Sequence, residues 1–190
     1  GRLRITLTGG PAPLGSDRAA VPPTVIVAGG PLPAWPPATD VVVVPWPRNE
    51  HGALTGVKSV SYGENVVALA YAHDRDAGEA LFANLAGNLC EGTGTNVFVE
   101  LGGRLVTPPL SAGCLAGVTR DLVMELVEVV EDDVPMDALA GAGEAFLTSS
   151  TRDVQPIRAI DGRSLPKCPG PLTEGAGSAF RALMGRDLDP

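Results

Sequence analysis

The run EGTGTNVFVELGGRLVTPP, residues 91–109, narrows the possible folds more than any other part of the chain. Its apolar stretches flank Gly102-Gly103, and a Gly-Gly pair between two strand-like runs reads as a hairpin turn. A surface hairpin has no use for a lone Glu91 at its entry, nor for Gly92, Thr93, Gly94 and Thr95 directly after it. A site for a flat, charged, phosphorylated ligand would use all of them.

The rest of the chain reads as a mixture of strands and helices without strict alternation. RLRITLTG (2–9) and PPTVIVAGG (22–30) are strand-like, and the prolines of PLPAWPPATD (31–40) mark a linker. DVVVVPWP (40–47) is continuously apolar, as in a strand buried on both faces. Helical spacing over 59–77 predicts a helix with Ser61 as a possible N-cap, and 79–92 reads as strand, turn at Ala86-Gly87-Asn88, then strand. A helix is expected over 117–132, with Asp121 in its first turn, where the dipole favours an anion. A short helix over 134–144 follows, then a strand over 145–151 that ends in four hydroxyl residues. PIRAIDGRSL (156–165) reads as a hairpin turning at Asp161-Gly162, and 170–185 as a terminal helix. The class is therefore α/β or α+β with a mixed sheet.

Composition removes several alternatives. A hydrophobic fraction of 44% over 190 residues can fill a real core, which argues against disorder. A net charge of −8 argues against nucleic-acid binding through phosphate neutralisation. No apolar run approaches the roughly 18 residues of a membrane span, and nothing resembles a signal peptide. Cys90, Cys114 and Cys168 have no paired spacing, which fits a reduced cytosolic (cytoplasmic) protein better than a disulfide scaffold. The chain opens at Gly1 without an initiator Met, so further sequence upstream is expected.

Four local signals point towards chemistry. Only Lys58 and Lys167 stand against twelve arginines, a bias that a GC-rich genome explains, yet lysine alone of the two can lose its proton at neutral pH. Lys58 reads either as a solvated loop lysine or as one held in an apolar pocket for Schiff-base chemistry. Glu91 reads either as an exposed strand-end carboxylate or as a buried one beside small residues, in need of a cationic partner such as a protonated ring nitrogen. Leu115-Ala116-Gly117-Val118-Thr119 opens a helix whose free amides suit an anion or phosphate, or is an ordinary capped helix. Thr148, Ser149, Ser150 and Thr151 are hydroxyl donors for a ligand or a polar strand end. His51 and His73 are isolated and no carboxylate cluster has ligand spacing, so no metal site is expected.

A reactive lysine, a carboxylate for a ring nitrogen, a helix N-terminus for a phosphate and a strand of hydroxyls are together the parts of a pyridoxal-phosphate site. The motifs KSVSYGEN (58–65), EALF (79–82), EGTGTNVF (91–98), LVTPP (105–109), LAGVTR (115–120) and TSSTRDVQP (148–156) resemble, in order and spacing, the class IV, fold-type IV pyridoxal-phosphate enzymes. That family includes branched-chain and D-amino acid aminotransferases and 4-amino-4-deoxychorismate lyase. The resemblance covers about the last two-thirds of such an enzyme. It implies that residues 1–47 are the end of the family's smaller N-terminal domain with an interdomain linker, and that 48–190 form the cofactor-binding domain. The N-terminal arginine with which the family grips the phosphate has no counterpart in this chain.

By the same resemblance Lys58 carries pyridoxal 5'-phosphate as a Schiff base, Glu91 bonds the pyridine nitrogen and Leu115 packs on the ring face. Val118 and Thr119 hold the phosphate, Ser150 adds a donor, and Tyr62 reaches the ring's phenolic oxygen. Thr93, Thr95, Ser149 and Thr151 face the substrate, and Arg152 either contacts a substrate carboxylate or points outward. The overall likeness implies a homodimeric 4-amino-4-deoxychorismate lyase that makes p-aminobenzoate and pyruvate for folate biosynthesis. An aminotransferase acting on an amino acid and a 2-oxo acid is the alternative within the family. A catalytically incompetent fragment kept for binding or dimerisation is the alternative outside it.

Overall fold

The structure is a computed structural model that describes residues 1–187. Two compact units are present, Gly1–Trp35 and the chain from Pro36 onward. In the first, strands β1 (Arg2–Thr8) and β2 (Thr24–Gly30) pair antiparallel, from Arg2 opposite Gly30 to Thr8 opposite Thr24.

The second unit is built on a nine-stranded mixed sheet. Strand β3 (Thr39–Val43) lies parallel to both β4 (Glu79–Ala83) and β10 (Asp153–Ile160). β5 (Leu89–Gly92) pairs antiparallel with β4 at one edge. On the other side of β10 the order continues through β9 (Ala145–Ser149), β6 (Asn96–Leu101), β7 (Arg104–Thr107) and β8 (Val130–Glu131), with β11 (Arg163–Ser164) paired to β10. Helices α1 (Gly63–His73), α2 (Val118–Leu126) and α3 (Pro171–Arg186) complete the unit.

Strand alternation explains how this sheet is covered. Successive side chains point to opposite faces, and Val41 of β3 joins one apolar cluster with Leu81, Val97 and Ile157. Val42 and Val44 join a second cluster with Ala68 and Ala72 of α1. The unbroken apolar run of β3 is thus a strand buried on both faces, as the sequence predicts. On β6, Val97 and Val99 take the first face, while Phe98 stacks on Phe146 at 4.7 Å between ring centroids and packs with Val123 of α2 and Phe180 of α3. The hairpin of β6 and β7 turns at Gly102 and Gly103, both at positive φ, and Asp161 and Gly162 turn β10 into β11 in the same way.

Three elements differ from the sequence expectation. The helix expected over 117–132 stops at Leu126, because Val130 and Glu131 pair parallel to Val106 and Thr107 and become strand β8. Pairing of this segment with the buried Val106 and Thr107 outweighs helical periodicity. The helix expected over 134–144 is a 3-10 turn over Met136–Gly141. The helix expected over 59–77 is shorter, with Tyr62 rather than Ser61 at the N-cap and no side-chain cap.

Candidate active site

A cleft of about 730 Å³ opens where four segments converge: residues 48–65, the segment 91–96 from the end of β5 to the start of β6, the turn 113–119 into α2, and 148–150 at the end of β9. Lys58, Tyr62, Glu91, Thr93, Thr95, Leu115, Val118, Thr119, Ser149 and Ser150 all line it. The sequence motifs therefore meet in one place. Thr151 and Arg152 do not line the cleft. Thr151 Oγ1 lies 3.5 Å from Ser149 Oγ, and Arg152 is directed at Glu79, Gly78 and Gln155.

Lys58 sits in the loop before α1, and its Nζ donates to Tyr62 Oη at 3.1 Å. Both residues lie in the non-helical segment that leads into α1, so the fold of that segment sets the direction of the amine. Across the cleft, Glu91 ends β5 with a side chain 14% exposed. Its Oε2 accepts the Leu115 N–H at 2.9 Å, and Arg48 Nε lies 3.4 Å from Oε1. Burial pushes the Glu91 carboxyl above the usual carboxylate range. The Leu115 amide, Arg48 and Lys58 oppose that shift, and the charge of Glu79 adds to it. The carboxylate form is thus held at a cost that one more cation in the cleft would offset.

Arg48 was not visible as a site residue in the sequence. Its Nη1 donates to Glu64 Oε2 and Asn65 Oδ1, each at 3.1 Å, and its guanidinium lies 4.1 Å from the centre of the Phe82 ring. The Asn65 side-chain amide in turn donates to the Thr93 carbonyl, which links α1 to the loop after Glu91. Asn96 is a second unanticipated residue. Its Nδ2 donates to Leu115 O at 2.8 Å, and a Cβ on Gly117 would collide with its Oδ1. Gly117 is therefore there for close approach, and it caps α2 without a side-chain bond. The first amides of α2 have no intrahelical acceptor, which makes Val118 and Thr119 the natural anion-binding end of the cleft. Thr148, one of the hydroxyls singled out in the sequence, also lines the cleft, and its buried Oγ1 has no partner among the described residues.

A buried carboxylate facing a lysine, an uncapped helix N-terminus held open by a glycine, and an orphaned buried hydroxyl fit a planar cation that carries a phosphate. Pyridoxal phosphate is such a group. The fold and cleft define a scaffold for that cofactor.

Comparison with known proteins agrees. The family model described as Amino-transferase class IV matches residues 1–160. The chain belongs to the class IV aminotransferases, which depend on pyridoxal phosphate. A Methanocaldococcus jannaschii protein provisionally named a branched-chain-amino-acid aminotransferase is 32% identical over 191 residues, covering 95% of this chain and 66% of its own length. The pyridoxal-phosphate form of the Thermobaculum terrenum branched-chain amino acid aminotransferase superposes with a TM-score of 0.83 at 28% identity, over 97% of this chain and 64% of that one. A Legionella pneumophila protein provisionally named 4-amino-4-deoxychorismate lyase superposes with a TM-score of 0.88 at 23% identity, over 97% of this chain and 69% of that one, a likeness of fold alone. The chain spans just under two thirds of the Methanocaldococcus relative it matches. Among the described residues no helix is long and apolar enough to cross a membrane.

Proposed function

We propose that the protein removes the α-proton of a primary amine held by pyridoxal phosphate in this cleft. The observation that carries the reading is Glu91, a buried carboxylate facing the cleft whose ionisation burial disfavours. Pyridoxal phosphate, when bound, withdraws electrons from the carbon beside the substrate nitrogen and so acidifies it. Glu91 keeps the ring nitrogen protonated, and the Leu115 amide fixes the carboxylate that does so. Val118 and Thr119 at the start of α2 would hold the phosphate, with Ser150 and Thr148, which line the same cleft, as further hydroxyl donors. Lys58 would hold the cofactor through Nζ and, with the amine substrate in place, would take its α-proton as general base. Tyr62, 3.1 Å from that nitrogen, orients it.

The amine we favour is 4-amino-4-deoxychorismate, which the enzyme would split into p-aminobenzoate and pyruvate. Support for this is the overall likeness of the chain to bacterial lyases of that kind, since the motifs from Lys58 to Pro156 belong to the family as a whole. Transamination of an amino acid is the second reading, favoured by the 32% identical Methanocaldococcus relative. Both begin with the same proton removal by Lys58 and part afterwards. Loss of the enolpyruvyl group is driven by aromatisation and needs no second substrate, whereas a transaminase needs a 2-oxo acid to recover. Aminodeoxychorismate alone is expected to give p-aminobenzoate and pyruvate over many turnovers. A stall after one turnover with D-alanine or L-leucine, relieved by 2-oxoglutarate, establishes the transaminase instead. Inability of the full-length protein to hold the cofactor at all would return the chain to the status of a binding remnant.

We further propose that the protein is a homodimer in a reducing, cytoplasmic setting. The exposed apolar side chains of Val66 and Val67 on α1 support the first, and the free thiols of Cys90, Cys114 and Cys168 the second. Light scattering of the full-length protein at twice the monomer mass is the expected result, and a monomer at micromolar concentration contradicts it.

A further inference from the structure

The EALF motif of β4 has no role in the cofactor chemistry, yet it begins with the most heavily bonded carboxylate of the site region. Glu79 is 1% exposed. Its Oε1 accepts the N–H of Ala80 at 3.0 Å and of Thr93 at 3.1 Å, together with the Thr93 hydroxyl. Its Oε2 accepts the Thr95 hydroxyl at 3.4 Å and Arg152 Nη2 at 3.3 Å. The Arg152 side chain, 7% exposed, also donates to Gly78 O at 3.1 Å and to Gln155 Oε1 at 2.7 Å. The Arg152 backbone N–H bonds both the carbonyl and the hydroxyl of Ser149, each at 3.2 Å, and so closes the turn that presents Ser149 and Ser150 to the cleft. Gly92 is small for the same reason: a Cβ there would strike the Thr95 hydroxyl and come within 3.3 Å of Glu79 Cγ.

We infer that the buried Glu79–Arg152 ion pair is a positioning device that locks the loop 92–96 and the turn 149–152 together, and thereby shapes the wall that meets the amine substrate. The inference rests on the function proposed above and adds two residues that stand behind the cleft. It also settles proton bookkeeping on that wall. A hydroxyl has one proton to give. Thr93 and Thr95 spend theirs on Glu79, so towards a ligand they present only acceptor lone pairs, while hydrogen-bond donation falls to backbone amides and to Ser149 and Ser150. Arg152 is thus no substrate ligand, because its guanidinium is already occupied by Glu79, Gly78 and Gln155.

The test uses the full-length protein reconstituted with pyridoxal phosphate, and the variants Glu79→Gln, Arg152→Met, the double variant and Arg152→Lys. Three quantities are read: amide hydrogen exchange at 92–96 and 149–153, the cofactor dissociation constant by absorbance titration, and KM and kcat with aminodeoxychorismate, D-alanine and L-leucine. Single variants should speed exchange in both loops by about tenfold or more, and raise KM for whichever amine is turned over by about tenfold, with a smaller change in kcat. The cofactor dissociation constant should move far less than KM. The double variant should be less impaired than either single one, because it leaves no buried charge unpaired. Arg152→Lys, which keeps the charge, should restore part of KM. Faster exchange in one loop only, or equal losses of cofactor and amine affinity, overturns the inference. A wild-type protein that binds no cofactor overturns the function instead, and the exchange data, which need neither cofactor nor turnover, still decide whether the two loops are locked by this pair.

Discussion

Replacing Glu91 by Gln preserves shape and removes the charge. In the structure the residue has one strong contact that survives the change, the Leu115 N–H at 2.9 Å, and an ion-pair partner, Arg48 Nε at 3.4 Å. Arg48 keeps Glu64 and Asn65 as partners. Because burial pushes the Glu91 carboxyl up even with Arg48 and Lys58 nearby, ionising it costs more in the cofactor-free fold than in the unfolded chain. A group whose folded pKa is raised contributes stability that is full below its unfolded pKa and is lost as pH rises through the folded value. At neutral pH, well above the ordinary carboxylate range, the cofactor-free variant should therefore unfold at or above the wild-type temperature. That advantage should shrink as the solution is acidified and wild-type Glu91 takes up its proton. Function should move the other way. A hydrogen bond to a charged partner contributes about 1.5–3 kcal/mol, which at about 1.4 kcal/mol per tenfold corresponds to roughly a 10- to 150-fold loss of turnover. Loss of the ring proton adds to that. Thermal unfolding followed by circular dichroism across pH, beside steady-state turnover, checks both halves. Near-wild-type turnover in a folded variant, or a variant markedly less stable at pH 7, would refute the reasoning.

Gly117→Ala places a methyl group against Asn96 Oδ1 and should loosen the turn into α2, costing about 1–3 kcal/mol of stability and weakening cofactor affinity about tenfold or more in an absorbance titration. Glu144→Ala removes the carboxylate that accepts the Leu172 and Thr173 amides at 3.1 and 2.8 Å, the tertiary cap of α3, and should cost about 2–4 kcal/mol in denaturant unfolding. Because Glu144 lies outside the cleft, the cofactor dissociation constant of that variant should stay near wild type at temperatures where it is folded.

Legibility in the sequence followed how local each signal was. The strand β3, the β6–β7 hairpin and helix α3 were readable because their apolar period and their turn residues agree with one another. The end of α2 was not, since Val130 fits a helical face as well as a strand, and only its pairing with Val106, far away in the chain, decides between them. Residues that line the cleft could be picked out where a residue type is rare or a motif is dense, as at Lys58, Glu91 and the hydroxyls after Leu147. Arg48, Asn96 and Glu79 were opaque because their work is done across the sheet, through partners such as Glu91, Leu115 and Arg152 that no spacing rule links to them. Arg152 left two readings open, a substrate contact or an outward side chain, and its guanidinium pairs with Glu79, a buried carboxylate that no spacing rule links to it.

The proposed function turns on Lys58 being the residue that carries the cofactor. Borohydride reduction of the full-length holoprotein, followed by peptide mapping, tests it directly. The pyridoxyl group should be found on Lys58, in quantity matching the bound cofactor. Label on Lys167, or a reduced protein with no labelled lysine, would contradict the account.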